Sequence, residues 1–460
     1  MMRPNETIVA LSTASGVGAL SVIRLSGSNA FVIMDALLKK PVSNKQTHTV
    51  CLRGIYDEQG LIDEAVITIF HEGKSYTKEN VVEISLHGSE YIAQRTLLAL
   101  MKAGAVMAEP GEFTQRAFLH GTLDLAQAEA VADLIAAEHK FAHENALKQL
   151  RGGFSDDIKS LRERLLHFTS LIELELDFGE EDVQFASRSE LKDLVTDIKQ
   201  KVDELRDSFT LGNALKKGFA LVLAGRPNAG KSTLFNALIK DEKAIVSDIA
   251  GTTRDAIDER IAIGDVWVRL IDTAGIREAT DAIEREGINR TFKHIESSGA
   301  TLYLFDPSLI SVEEVLNDLS EISEKSERIW VIANKLDHFK GDLSIYNSVF
   351  EKYGGLSLKG ISALDVSQVS ELRSQLATQF TEDVRRISDQ TIVTNARHSH
   401  SLDACSNELQ QILDGMEMGL SGDLLSFHLR TGIKELASIT GEIENEEVLG
   451  KIFSSFCIGK

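Results

Sequence analysis

Gly225-Arg226-Pro227-Asn228-Ala229-Gly230-Lys231-Ser232 follows the apolar run Phe219 to Ala224 and opens Ser232 to Ile239, a stretch of helical composition. Gly-x-x-x-x-Gly-Lys-Ser between a buried strand and a helix start has the form of a phosphate loop. Successive backbone N–H groups and the positive end of the helix dipole converge there on an anion, the lysine reaches the outer phosphates, and the serine hydroxyl is a ligand for Mg²⁺. The reading predicts a nucleoside triphosphate site that includes Asn228, Ala229, Gly230, Lys231, Ser232 and Thr233, with Ser232 on the metal.

Three further elements follow in order. Asp272-Thr273-Ala274-Gly275 ends a second apolar run, Val266 to Ile271. An acid there can hold a water on Mg²⁺, and a glycine N–H can face a γ-phosphate. Trp330 to Ala333 runs into Asn334-Lys335-Leu336-Asp337, and Val349 to Leu358, read as a further strand, leads to Ser362-Ala363. A carboxylate at Asp337 can accept from both the ring N–H and the exocyclic amine of guanine. Adenine has no matching pair of donors at that edge, so the sequence predicts GTP over ATP, with the discrimination expected of a polar site left unpaired by the wrong ligand.

Between the first helix and the next strand lies a polar loop, Val246-Ser247-Asp248-Ile249-Ala250-Gly251-Thr252-Thr253-Arg254-Asp255, in which Ser247 to Thr253 are nucleotide-site candidates. It occupies the position of a switch that senses the γ-phosphate, and Thr253 is the candidate to complete the Mg²⁺ shell. Ile276 stands where a Ras-like GTPase carries the glutamine that orients the attacking water, so another group must do so, and the charged segment Arg277 to Arg290 is where to look for it.

The chain of 460 residues is 43% apolar, enough for about three folded domains. No apolar run reaches membrane-spanning length, and Thr7 to Ile23 is interrupted by Ser, Thr and Gly before Arg24, which argues against a signal peptide. Cys51, Cys405 and Cys457 are far apart, which fits reduced thiols, a cytoplasmic location and no transition-metal site. A formal charge of −21 opposes unaided binding to a polyanion, so an RNA substrate implies a partner that supplies positive surface. The acidic stretch Glu173 to Asp182 reads as a solvated face.

Residues 1–120 mix β-rich runs (Thr7 to Ser12, Ala19 to Leu25, Ala65 to Phe70, Val81 to Leu86) with a helix near Glu90 to Lys102. Helical stretches follow at Asp124 to Leu150, Asp156 to Asp177 and Ser189 to Thr210, and again at Glu382 to Gly415 and Leu424 to Ser438. The predicted architecture is an α+β N-terminal domain (1–120), an all-α helical domain in two parts (121–215 and 381–460), and an inserted Ras-like α/β P-loop GTPase domain (216–380).

With these parts in order, the chain resembles the MnmE (TrmE) family of bacterial tRNA-modification GTPases over essentially its whole length. Thr7-Ile8-Val9-Ala10, Ile23-Arg24-Leu25-Ser26-Gly27, Pro110-Gly111-Glu112-Phe113, Leu123 to Ala130, Asp248 to Asp255 and the tail Phe453-Ser454-Ser455-Phe456-Cys457-Ile458-Gly459-Lys460 carry the likeness, together with the phosphate loop. The resemblance implies a homodimer that joins the FAD-containing MnmG protein and adds a carboxymethylaminomethyl group to carbon 5 of the wobble uridine of certain tRNAs. It implies a folate one-carbon carrier contacted by Arg24, Glu83 and Lys460, with Thr122 where a lysine is common. It also implies K⁺ beside the nucleotide on Asn228, Ser247, Ile249 and Thr252, Glu284 as water organiser, and Cys457 as linked to the modification reaction. Two other classes share the nucleotide domain. A ribosome-assembly GTPase without covalent chemistry would usually append a basic RNA-binding module, and a membrane-remodelling GTPase would want a basic amphipathic helix or a lipidation signal. Cys457 has the spacing of a prenylation box, but Gly459 and Lys460 fit one poorly.

Overall fold

The structure is a computed structural model that describes residues 6–177, 188–240, 258–264, 266–272, 300–326, 328–353, 356–387, 391–443, 446–454 and 456–459. Two compact units contain them. One comprises Met1–Ala136, Ala146–Ile198 and Asn407–Lys460, the other Ala137–Asn145 and Lys199–Ser406. The first unit thus takes in the N-terminal residues and the chain end, and its boundary at Ile198 falls inside a helix, Arg188–Lys217.

In the first unit, β1 (Ile8–Leu11), β2 (Leu20–Ser26), β3 (Thr49–Asp57), β4 (Gly60–Phe70), β5 (Val81–His87) and β6 (Val106–Met107) form one sheet in the order β3-β4-β5-β2-β1-β6. Neighbours are antiparallel except β1 and β6. Alternation sends Ile23, Leu25, Ile67, Ile69, Val82 and Ile84 to one face, against α1 (Ala30–Asp35) and α2 (Glu90–Lys102). The other face carries Ile8 and Ala10 against Phe113 of α3 (Glu112–Leu119), and on it Arg24 stands in register with Glu83.

The single helix expected over Asp124 to Leu150 is two, α4 (Leu125–Ile135) and α5 (Lys140–Leu150). Asp124 and Gln127 close a capping box at the start of α4. The break comes at His139, whose Nδ1 accepts the Ala142 N–H at 3.2 Å and so starts a new helix with a side-chain cap. The periodicity over Glu382 to Gly415 is likewise divided, between helices Val366–Ile387 and Ala396–Glu417, with Ile392 and Val393 buried in the connection. Helix α6 (Gly153–Asp177) packs along the helix Gly422–Thr440, and ion pairs Arg162–Glu442 (2.7 Å) and Arg430–Glu173 (2.6 Å) flank the contact. No helix among the described residues is long and apolar enough to cross a membrane.

In the second unit, β7 (Phe219–Ala224), β8 (Asp258–Ile263), β9 (Val266–Asp272), β10 (Ala300–Phe305) and β11 (Ile329–Ala333) form a sheet in the order β11-β10-β7-β9-β8, parallel except for the edge strand β8. Every residue of β7 and β10 is buried, because helices cover both faces. Leu221, Leu223, Leu302, Leu304, Trp330 and Ile332 face one layer, which includes Leu234 and Leu238 of α8 (Lys231–Lys240) and Leu372 and Leu376. Val222, Tyr303, Phe305 and Val331 face the other, which includes Val315 and Leu319 of the helix Val312–Ser323. β7 has β9 on one side and β10 on the other, so the loop that leaves its carboxyl end sits where successive crossovers diverge, the usual place for a ligand in such a sheet.

One strand expected from sequence is absent. Val349 to Leu358 begins as the helix Asn347–Tyr353, which continues from a 3₁₀ turn, Leu343–Tyr346, capped by Asp342. Tyr346, Val349 and Phe350 are buried at three- and four-residue spacing, a helical period that overrides the β-favouring residue types. Pairing with β11 is reduced to a single parallel bridge between Ala333 and Gly360.

Gly225 ends β7 with φ +141°, and a Cβ there would collide with the carbonyl oxygen of Leu304. Both the backbone conformation and the close approach of β10 demand glycine. Gly225→Ala is therefore expected to destabilise the protein by at least about 3 kcal/mol, the range of severe overpacking on a special backbone. Equilibrium unfolding in urea checks this, and an unchanged midpoint would refute it.

Candidate functional site

The phosphate loop is built from backbone outward. Lys231, 5% exposed, points its ammonium back over the loop and donates to the carbonyls of Gly225 (2.8 Å) and Arg226 (3.0 Å). Asn228 is left-handed at φ +63° and Gly230 has φ +94°, the backbone reversal that turns successive N–H groups inward. A Cβ on Gly230 would collide with the side-chain amide of Asn334.

Asn334, 1% exposed, is the junction of the site. Its Nδ2 donates to the Ala229 carbonyl (2.8 Å), its Oδ1 accepts from the Ala363 N–H (3.0 Å), and its own N–H donates to Phe305 (2.7 Å). The sequence places it among the base-reading positions, and in the structure both of its side-chain groups fasten the phosphate loop to the Ser362-Ala363 turn. Lys335 is left-handed at φ +62°, and its ammonium pairs with the largely buried Asp306 at 3.2 Å. The Leu336 N–H donates to Ile361. The Ser362 hydroxyl, which bonds Asp337, is the largest influence holding that carboxyl below the ordinary aspartate range; partial desolvation opposes it, and His338 and Lys335 add attraction. His338 Nε2 lies 3.0 Å from Asp337 Oδ2.

Asn228 to Thr233, Asn334 to Asp337 and Ser362-Ala363 thus converge at the carboxyl ends of β7 and β11. Asp272 is the last residue of β9, in register with Leu223. Ser247, Asp248, Ile249, Ala250, Gly251, Thr252 and Thr253, Thr273, Ala274 and Gly275, and Glu284 lie outside the described residues.

A second group of candidates meets on the N-terminal sheet. Arg24 Nε and Nη2 both donate to Glu83 Oε1, at 3.0 and 2.8 Å, and the guanidinium lies 5.8 Å from the centre of the Tyr76 ring and 5.7 Å from that of Phe113. The chain end returns here. The Gly111 N–H donates to the Cys457 carbonyl (3.3 Å) and the Ser12 hydroxyl to that of Gly459 (3.2 Å). Gly459 lies against Leu11, one register position beyond Ala10, the partner of Arg24. The Cys457 side chain is exposed. Thr122 is exposed after α3, its N–H bonded to Ala117, and Lys460 lies outside the described residues.

Two features escaped the sequence reading. Arg116 is buried among Glu79 (3.0 Å), Glu112 (2.8 Å) and the Glu6 carbonyl, and only its four-residue spacing from Glu112 signalled a pair. Arg226 occupies a variable position of the phosphate-loop pattern, yet it anchors that loop to the helix Val312–Ser323.

Comparison with known proteins bears on both groups. The family descriptions "GTP-binding protein TrmE N-terminus" and "MnmE helical domain" match residues 7–122 and 125–457. A protein of Cytophaga hutchinsonii named tRNA modification GTPase MnmE is 47% identical over 99% of this chain and 98% of its own length. The chain belongs to the MnmE family. A relative of the same name from Christiangramia forsetii is 45% identical over 100% of both chains, so the likeness to MnmE runs end to end rather than resting on the nucleotide domain. Among solved structures, a GTP-binding protein from Sulfolobus solfataricus in complex with GDP aligns at 20% identity and a TM-score of 0.27, over 48% of this chain and 67% of that one, too low to support a further step.

Proposed function

We infer that this chain binds and hydrolyses GTP and couples that hydrolysis to tRNA modification. The observation that carries the reading is the junction at Asn334, which fastens a phosphate loop to a turn whose serine bonds Asp337, in a chain whose end-to-end relatives are named tRNA modification GTPases. The residues fit a Mg²⁺ ion: Ser232 presents a hard hydroxyl oxygen in the first turn of α8, next to the Lys231 cradle, and Thr253 is the proposed second ligand. Bound there, the metal would neutralise charge developing on the phosphates. Asn228, exposed and left-handed between Arg226 and Gly230, fits as an amide-oxygen ligand for K⁺, with Ser247, Ile249 and Thr252 proposed to complete that set. Glu284 is proposed to orient the attacking water.

The N-terminal cluster fits a folate one-carbon carrier. Glu83 offers a carboxylate acceptor to ring N–H groups, Arg24 a guanidinium, and Tyr76 and Phe113 aromatic faces. The tail runs past the start of α3, where the Gly111 N–H holds the Cys457 carbonyl, to Ser12 at the end of β1, which is why Cys457 is proposed to serve the modification chemistry, with Lys460 at the folate. An MnmG-like flavoprotein is the proposed partner, supplying electron transfer and positive surface for tRNA, and the working unit is proposed to be a homodimer in the cytoplasm.

Mass spectrometry of wobble nucleosides from cells lacking this protein tests the reading. Loss of a carbon-5-substituted uridine is expected. Intact nucleosides with a ribosome-assembly defect would overturn it in favour of an assembly GTPase.

A further inference from the structure

The phosphate loop is anchored at two points, and one of them is a side chain for which the nucleotide reading has no role. Arg226 spends its whole guanidinium on the helix Val312–Ser323. Its Nε and Nη2 donate to the two oxygens of Asp318 (2.9 and 3.0 Å), and its Nη1 donates to Glu314 Oε1 (2.8 Å). Both acceptors are themselves fixed. Asp318 Oδ2 also accepts from the hydroxyl of buried Tyr303 on β10 at 2.6 Å, and Glu314 Oε2 accepts from the Ser311 N–H and hydroxyl at 3.0 and 3.1 Å in a helix capping box. The Ser311 N–H and Arg226 keep the Glu314 carboxyl at about 2, so the anchor is charged at any working pH.

The second anchor is the Ala229 carbonyl, held by Asn334. Between the two lie Pro227 and the left-handed Asn228, and the Arg226 carbonyl is one of the two that accept from Lys231. Asparagine tolerates that conformation, and here it stands between two anchored positions that hold the turn. We propose that Arg226 is a positioning residue for nucleotide binding: its fork onto Asp318 and Glu314 fixes the amino-terminal half of the phosphate loop, so that Asn228 and the N–H groups after it stand ready before the phosphates arrive. This rests on the GTPase reading above and adds a residue to it.

The clamp is distinguishable from a structural ion pair. Arg226 and Glu314 are 44% and 47% exposed, and an ion pair at that exposure adds little to folding stability; Asp318 is 23% exposed and also holds the buried Tyr303 hydroxyl, so the stability criterion applies to the Arg226 variants. Releasing the loop instead leaves its ordering to be done on binding, so the loss falls on affinity. Arg226→Ala and Asp318→Ala are each expected to raise the KM for GTP and the Kd for GDP about tenfold, with the double variant no worse than the worse single one. In the Arg226 variants the unfolding temperature stays within a few degrees of wild type and kcat changes less than KM, whereas Asp318→Ala also leaves the buried Tyr303 hydroxyl unpaired and is expected to lower the unfolding temperature further. Arg226→Lys keeps the charge but cannot make the fork, so it recovers only a minor part of the loss. Tyr303→Phe keeps the core ring, removes one support of Asp318, and gives a smaller rise.

Steady-state hydrolysis, GDP titration and thermal unfolding on the full chain test the clamp. Wild-type KM and Kd in both Arg226 variants, or additive effects of Arg226→Ala and Asp318→Ala, overturn the proposal. If Arg226→Ala does not fold, Arg226→Lys replaces it: a raised KM and Kd support the clamp, and wild-type values overturn it. A wild-type protein that neither binds nor hydrolyses GTP defeats the underlying GTPase reading instead.

Discussion

Replacing Asp337 by asparagine is expected to turn a GTP-binding protein into one that prefers XTP. In the proposed site the carboxylate would accept from two guanine donors, the ring N–H and the exocyclic amine. An asparagine amide has one acceptor and would set a donor against the amine, whereas xanthine carries an oxygen at that carbon and accepts what the amide donates. A site that pairs polar groups on its ligand discriminates by about 10⁴, so GTP affinity is expected to fall by about 10³ to 10⁴ while XTP gains. Isothermal titration with GTP, XTP and ATP checks this, and Asp337→Asn protein that binds GTP within tenfold of wild type would contradict the assignment.

The Ser362 hydroxyl, with attraction from Lys335, holds the Asp337 carboxyl below its ordinary 3.8. The sign follows: a depressed carboxylate contributes fully above its ordinary value and is lost only as pH falls through the lower folded one. Binding should therefore show no Asp337-linked decline between pH 8 and pH 5.

How much of this was legible in the sequence depended on whether a residue's role was local. β7 and the phosphate loop were, because both faces of the strand are buried and Phe219 to Ala224 is one apolar run. So were β2 and β5, where Ile23, Leu25, Val82 and Ile84 alternate with half-exposed positions. β3 was not, because it is an edge strand whose Val50 and Leu52 are 61% exposed, so its apolar residues point away from the core and the alternation misleads. α1 has six residues, too few to establish a period. The strand expected over Val349 to Leu358 failed because Val and Phe favour strands, while burial at Tyr346, Val349 and Phe350 follows a helix.

The same division runs through the site. The roles proposed for Lys231, Ser232 and Asp337 rest on their own side chains, and a motif of eight or four residues finds them. The pairing of Arg24 with Glu83 is 59 residues long in sequence and was reached only through family resemblance; sheet register brings the two together. The role of Asn334 as a fastener, and that of Arg226 as a clamp across 92 residues, depend on where β10 and the helix Val312–Ser323 lie, which no local pattern encodes.

Lys231→Met is expected to lower affinity for GTP by at least about 10²-fold and to bring hydrolysis below detection. Lys231 is 5% exposed and its ammonium lies over the Gly225 and Arg226 carbonyls, so in the bound state it can exchange them for phosphate oxygens with little reorganisation. Each hydrogen bond from a charged donor contributes roughly 1.5–3 kcal/mol, and two such bonds to phosphate give about 3–6 kcal/mol, or two to four orders of magnitude. The apo protein should tolerate the change far better. Methionine fills the space of the aliphatic stem. The carbonyl of Arg226 belongs to an exposed residue, that of Gly225 to a half-exposed one, and water can take up both acceptors. Stability should therefore fall by no more than about 1–2 kcal/mol. Lys231→Met protein with a near-native unfolding midpoint and no measurable nucleotide binding is the expected pair of results. Retained binding within tenfold would mean that the loop between β7 and α8 does not cradle phosphate, and the GTPase reading would fall with it.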